Sequence, residues 1–119
     1  IRLSEMYLTL AEAYARGGNE AKAQEVFTKF QVTRDPAYAG NGNTGDALAE
    51  EIMTSRRIEL WGEGFRYTDL KRLHLPIKRG RNFDIAFCGF LEMDADAKGW
   101  TWEIPNTETN NNPLCKKNY

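Results

Sequence analysis

"RLSEMYLTLAEAYARGGNEAKAQEVFTKF", residues 2–30, contains two apolar patterns of helical period separated by a three-residue turn. In the first pattern, large apolar side chains recur three or four positions apart, which places them on one face of a helix. Small alanines lie between these large residues and favour helix as well. Residues 2–16 are therefore predicted to form an amphipathic helix with an apolar stripe made of Leu3, Met6, Tyr7, Leu10 and Tyr14.

The turn Gly17-Gly18-Asn19 separates this helix from a second one. Glycine is typical of a helix end, and the Asn19 side chain is a favourable N-cap for the helix that follows. The second helix carries its own apolar stripe, formed by Ala23, Val26, Phe27 and Phe30. Two amphipathic helices joined by so short a turn must pack antiparallel. The fold class predicted from this hairpin is mostly α.

The hairpin resembles one tetratricopeptide-type unit, in which small residues let two helices approach and bulky ones fill the gap. A lone unit of that kind cannot bury its apolar face. We therefore expect an exposed apolar helical face, and we expect the chain to be part of a longer protein. An ordinary helical hairpin is the alternative.

Beyond the hairpin, the chain is predicted to contain a glycine-rich loop, two more helices and an irregular tail. The loop, residues 35–45, lacks the strand and the lysine that a phosphate-binding loop requires, so we interpret it as a flexible connection. One helix is expected from Asp46 to about Trp61 and another from Phe65 to Leu73. We interpret residues 1–119 as a single domain, comprising a hairpin (1–34), a helical pair (46–73) and a tail (74–119). In the tail, one of Trp100 and Trp102 is expected to anchor the core while the other faces outward.

A second conspicuous stretch is "RRIELWGEGFRYTDLKR", residues 56–72, where acidic and basic residues alternate at helical spacing. Charges three positions apart on a helix can pair. We predict a buried or half-buried ion-pair network with an architectural role, and we expect Gly62 and Gly64 to let two helices approach closely. The residues assigned to this structural motif are Arg56, Arg57, Glu59, Glu63, Gly64, Arg66 and Asp69.

The composition and the charge pattern disfavour several classes of function. Arginines near Glu59, Glu63 and Asp69 lower carboxyl pKa values, which is the wrong direction for the proton donor of a glycosidase. A net charge of −1 opposes nucleic-acid binding, despite a basic run between residues 66 and 81. His74, Cys88 and Cys115 are too few to hold a zinc ion, and no cofactor is expected. Whether the two cysteines pair stays open. The sequence contains neither a transmembrane run nor a signal peptide.

Three stretches, in order, resemble the C-terminal part of SusD/RagB-type proteins. The first is "RLSEMYLTLAEAYARGGN", the second is the charged motif, and the third is "WEIPNTE" followed by "NP". Tyr67 departs from the family's pattern, which commonly has tryptophan there. The charged-motif residues that match are Arg56, Arg57, Glu59, Leu60, Glu63, Gly64, Arg66, Tyr67, Asp69, Leu70, Lys71 and Arg72.

The resemblance implies a non-enzymatic subunit that captures nutrients, with oligosaccharides as the expected class, at the cell-surface side of the outer membrane. It implies a SusC-like TonB-dependent transporter as partner and an N-terminal lipid anchor outside this chain. It implies neither a cofactor nor nucleic-acid binding, and it transfers no ligand-binding residue to a position here. The alternative is a helical-repeat scaffold that binds a protein partner.

Overall fold

The computed structural model describes residues 2–80 and 82–118, which contain six helices and two short strands. The predicted fold class, mostly α, is confirmed. The chain divides into two compact units, Ile1–Arg66 and Tyr67–Tyr119, and the single-domain interpretation stays a prediction. The helices are α1 (Leu3–Arg16), α2 (Glu20–Gln31), α3 (Gly45–Glu59), α4 (Phe65–Arg72), α5 (Ile85–Cys88) and α6 (Asn106–Asn111), and the strands are β1 (Ile77–Lys78) and β2 (Glu92–Met93).

The turn between α1 and α2 has the hydrogen bonds of a glycine-terminated helix. Gly18 has a φ of +78°, a conformation that glycine adopts without strain. Its amide donates to the Ala15 carbonyl at 3.2 Å, and the Asn19 amide donates to the Tyr14 carbonyl at 2.9 Å. These are the two bonds of a Schellman motif. The Asn19 side chain accepts from the Lys22 amide at 3.3 Å, which confirms the predicted N-cap.

The core of the first unit lies between α1, α2 and α3. Alanines 11 and 23 are fully buried, so the α1 and α2 backbones can approach closely, and Phe27, Leu8 and Ile52 are the largest side chains excluded from solvent. Burying each large apolar side chain contributes roughly 1.5–3 kcal/mol. The core residues are Leu8, Ala11, Ala15, Ala23, Phe27, Phe30, Leu48, Ala49 and Ile52.

Of the large apolar stripe predicted for α1, Tyr14 packs against this core, whereas Leu3, Met6 and Leu10 are exposed. Leu3 is 73% exposed, Met6 53% and Leu10 45%. The core face of α1 is instead the one that carries Leu8 and the alanines. The expected exposed apolar helical face is therefore present in the described part of the chain.

Helix α3 runs parallel to α2. At its start, the Gly45 amide donates to Oε1 of Glu20, the first residue of α2, at 2.7 Å. At its end, Glu59 contacts Arg34, which lies just beyond the end of α2. The connection of residues 32–44 therefore carries the chain back along α2. This order differs from an up-and-down bundle, in which successive helices alternate in direction.

Trp100 forms the buried centre of the second unit. It is 5% exposed, whereas Trp102 is 89% exposed, so the expected division between an anchoring and an outward-facing tryptophan is confirmed. The Tyr67 ring stacks on the Trp100 ring at a centroid distance of 5.5 Å. The Trp100 carbonyl accepts from the Tyr67 hydroxyl at 2.7 Å and from Lys71 Nζ at 2.8 Å, while its indole donates to the Asp94 carbonyl at 2.7 Å.

The rest of the second unit consists of short elements joined by loops, in keeping with the irregular tail predicted for residues 74–119. Strands β1 and β2 pair antiparallel, with Ile77 opposite Met93. Arg79, which follows β1, links the start of the segment between the strands to its end. Its guanidinium donates to the carbonyls of Cys88 at 2.9 Å and Phe90 at 2.8 Å. Both cysteines, at positions 88 and 115, are free and half-buried.

Candidate functional site

The carboxylate of Glu59 lies where three helix ends meet. Arg34, just after α2, donates to it twice, from Nε to Oε2 at 2.9 Å and from Nη2 to Oε1 at 2.7 Å. Arg2, just before α1, adds an ion pair at 3.1 Å. Glu59 is itself the last residue of α3. A single side chain, only 14% exposed, thus connects one end of each of the first three helices.

This environment strongly favours the ionised form of Glu59. The hydrogen bond from Arg34 lowers the pKa of Glu59 to about 2, assisted by a hydrogen bond from Ser4 and by the charges of Arg34 and Arg2, while burial opposes the shift. The expected direction of this pKa shift is confirmed, although the positive neighbours are Arg34 and Arg2 and not the Arg56 of the same helix. A carboxyl group with so low a pKa is ionised at neutral pH and cannot act there as a proton donor.

Arg56 is the buried arginine of the charged motif. It is 6% exposed, and its guanidinium lies 5.2 Å from the centre of the Phe65 ring. Its Nη1 donates to Thr9 Oγ1 at 3.3 Å, and its Nη2 lies 3.9 Å from the carboxylate of Glu5. Thr9 and Glu5 both belong to α1, so Arg56 joins α3 to α1 in addition to any pairing within its own helix.

The remaining motif residues lie mostly at the surface. Glu63 is exposed and forms an ion pair with Arg2, while Arg57 and Arg66 are exposed. Arg2, like Arg34, stands outside the motif, so spacing within residues 56–72 gives no signal of these partners. The architectural role of the motif stays a prediction.

In the second unit, Asp69 is the buried acidic residue of the motif. It is 4% exposed and accepts from Arg72 Nε at 3.0 Å, the i,i+3 pairing that the helical spacing predicts.

The role expected for Gly62 and Gly64 is wrong. A Cβ added at either position would meet no atom of the first unit within 4 Å, so these glycines do not serve a close approach of helices. Their φ angles are +79° and +83°. An L-residue with a Cβ is strained in that left-handed region. The two glycines are needed for the backbone turn between α3 and α4.

A pocket of about 200 Å³ lies beside the returning connection in the first unit. Phe27 of α2 and Leu48 of α3 form its apolar floor, and Tyr38 forms one wall with its ring edge-on to Phe27 at 6.0 Å. Residues 39–43 also line the pocket, and Gly40 and Gly42 among them have φ angles of +81° and +71°. These glycines let the loop curve around the opening.

Hydrogen bonds hold the loop in place around this pocket. The Tyr38 hydroxyl donates to Glu51 Oε1 at 2.8 Å, and Asn43 Nδ2 donates to Glu51 Oε2 at 3.0 Å. Gln24 Nε2 donates to the Asn43 carbonyl at 3.0 Å. Burial, assisted by Glu51, raises the pKa of Tyr38 to about 12, so its hydroxyl remains a donor throughout the physiological range.

This loop was predicted from the sequence, but no site was predicted in it. Its end is confirmed, since α3 begins at Gly45. The signal available in the sequence was a tyrosine next to a run rich in glycine and asparagine. The run lines a pocket because Glu51 of the next helix binds Tyr38 and Asn43. This role of Glu51 can be recognised only once α3 is placed parallel to α2.

Within residues 2–80 and 82–118, no helix combines the length and the apolar character that a bilayer span requires. The same residues contain no group of three or more histidine, cysteine, aspartate or glutamate side chains arranged to hold a metal ion.

Comparison with known proteins gives two positive findings. The model of the SusD family matches residues 1–119. SusD-like protein P38 of Formosa agariphila is 29% identical over 85 residues, which represent 65% of this chain and 17% of that protein. The chain thus spans less than a fifth of the length of that relative. No solved structure matches the chain. Because the family match extends from the first residue to the last, the chain belongs to the SusD family.

Proposed function

We propose that this chain is the C-terminal portion of a non-enzymatic subunit that binds nutrients, specifically oligosaccharides, for uptake across the outer membrane. The observation that carries the proposal is the match to the SusD family over residues 1–119. The partner is a SusC-like TonB-dependent transporter. The subunit sits at the cell-surface side of the outer membrane, held by a lipid on an N-terminal cysteine outside these residues.

The state of Glu59 supports a binding role over a hydrolytic one. Hydrolysis of a glycosidic bond needs one carboxylic acid that keeps its proton near neutral pH. Arg34 instead lowers the pKa of Glu59 to about 2. Two further carboxylates of the motif, Glu63 and Asp69, each contact an arginine. These contacts suit structural ion pairs.

The test uses the full-length protein from its source organism. Titration calorimetry with size-defined neutral oligosaccharides is expected to give saturable binding without release of shorter products. Affinity purification of the same protein from detergent-solubilised outer membranes is expected to recover a TonB-dependent transporter. Absence of binding across the oligosaccharide series would overturn the substrate class, and absence of the transporter would overturn the complex.

A second candidate function is that of a helical-repeat scaffold that binds a protein partner. The exposed apolar stripe of α1, with Leu3, Met6 and Leu10, favours it. The variant Met6→Lys/Leu10→Lys distinguishes the two functions. Loss of a protein partner other than the transporter, with unchanged oligosaccharide binding, supports the scaffold, whereas unchanged binding of that partner opposes it.

A further inference from the structure

The size of the pocket beside the returning connection restricts what it can hold. Its volume of about 200 Å³ is below the roughly 300 Å³ at which sites for drug-sized ligands begin. A single ring-sized group fits, but a larger ligand would have to extend out of the opening. All the residues that line the pocket belong to the first unit.

The polar groups of the pocket suit hydroxyl groups. An ionised carboxylate offers about four lone-pair sites. Glu51 uses its two oxygens to accept from Tyr38 and Asn43, one bond each, which leaves acceptor capacity towards the pocket. Asn41, an exposed residue of the lining, carries a side-chain amide donor and a carbonyl acceptor. Vicinal hydroxyls of a sugar ring donate to carboxylates and both donate to and accept from amides.

The charge and the apolar surface of the pocket further restrict the class of ligand that it can bind. Glu51 repels anions, and none of the described residues that line the pocket is a lysine or an arginine. A phosphate or a uronic acid therefore has no cation to pair with here. Phe27 and Leu48 are almost fully buried, so the half-buried Tyr38 supplies the apolar surface on which the C–H groups of a ring can pack.

We propose that this pocket, formed by α2, α3 and the loop of residues 38–43, binds one ring of a neutral, polyhydroxylated ligand, namely a single neutral sugar residue of an oligosaccharide. The proposal rests on the proposed function, to which it adds a site. Glu51 and Asn41 hold the hydroxyls, and Tyr38 faces the ring.

The experiment measures binding to the full-length protein by titration calorimetry, with neutral malto-, cello-, xylo- and manno-hexaoses as probes. Glu51→Gln replaces a charged acceptor, and losing a charge-assisted bond is expected to weaken binding about tenfold. Asn41→Ala is expected to weaken binding about threefold. Glu50→Gln is the matched control, because Glu50 is an exposed glutamate at the adjacent position of α3, and it is expected to leave affinity unchanged.

The outcomes of this experiment distinguish a failure of the proposed site from a failure of the proposed function. If the wild type binds a hexaose and both pocket variants bind it equally well, the pocket is overturned while the proposed function stands. If Glu51→Gln lowers the melting temperature, its affinity no longer tests the site. The affinity of Asn41→Ala, a variant that leaves the bonds of Glu51 intact, then decides whether the pocket binds the sugar. If no hexaose binds, the substrate class of the proposed function fails. Methyl glucoside, galactoside and mannoside then test the pocket directly by NMR, and unshifted Tyr38 and Asn41 signals overturn it.

Discussion

Arg34 donates two hydrogen bonds to Glu59 across 25 positions of sequence, at 2.9 and 2.7 Å. The pair joins the segment after α2 to the last residue of α3, so it fixes the ends of two parallel helices side by side. Parallel, two-bond pairing of a guanidinium with a carboxylate adds geometric specificity as well as energy. Through Arg2 and Ser4, the same carboxylate also holds the start of α1.

Removal of the Glu59 charge is expected to destabilise the first unit. Glu59→Gln should lower the free energy of unfolding by about 2 kcal/mol. This figure is smaller than the pKa shift alone implies, because Arg2 and Arg34 are 47% and 49% exposed and water screens them. Urea denaturation of the variant measures the change. Glu50→Gln, an exposed site on the same helix, is the control and should change stability by less than about 0.5 kcal/mol. Equal effects at both sites would contradict the role of Glu59.

The same ion pair predicts a specific acid dependence. The folded pKa of Glu59 is about 2 and the reference value is 4.5, so the folded state binds this proton less readily than the unfolded state. The stabilisation is therefore fully present above about pH 4.5 and is lost as the pH falls towards 2. The stability difference between wild type and Glu59→Gln should accordingly shrink over that window. A difference that stays constant from pH 7 to pH 2.5 would show that the pKa of Glu59 is not lowered.

The glycines between α3 and α4 give a prediction that separates two physical causes. Gly62→Ala should cost about 1–2 kcal/mol, because alanine is strained at a φ of +79°. Gly62→Asn should cost less than Gly62→Ala, since asparagine tolerates the left-handed region better. If space were the limiting factor, the larger asparagine would be the worse of the two. Thermal denaturation of both variants provides the comparison.

The two tryptophans of the second unit should respond very differently to truncation. Trp100→Ala removes a buried side chain together with its hydrogen bond to Asp94, and it should lower stability by about 3–5 kcal/mol. Trp102→Ala, at a site 89% exposed, should be nearly neutral. Hydrogen exchange of the amides in residues 67–100 measures the effect. Similar protection of these amides in the two variants would show that Trp100 does not contribute to the core of the second unit.

The helices were predictable from the sequence because their local signals agree. Gly18 and Asn19 mark the end of one helix and the start of the next, and both act there as expected. The division of roles between Trp100 and Trp102 was expected as well, without specifying which one is buried. Residues two apart share a face in an extended strand, so the opposite burial of these two tryptophans depends on the bend at residues 100–101, which the sequence does not show.

What the sequence did not reveal depends on contacts between distant residues. The partners of Glu59 are Arg2 and Arg34, and nothing in the spacing of residues 56–72 identifies them. The pocket likewise depends on Glu51 meeting Tyr38, which requires α3 to run parallel to α2. Gly62 and Gly64 were expected to serve packing, because a glycine needed for positive φ and one needed for close approach look the same in a single sequence.

The returning connection of residues 32–44 also constrains the order of assembly during folding. Helices α1 and α2 are joined by a three-residue turn and can meet early, because closing a short loop costs little entropy. Helix α3 can reach α1 only after the longer connection has closed, so its contacts should be late ones. Core substitutions such as Ala23→Gly in α2 are then expected to slow folding, while Ile52→Val in α3 mainly accelerates unfolding. The route that the chain takes back along α2 therefore makes α3 the helix that leaves first when the unit opens.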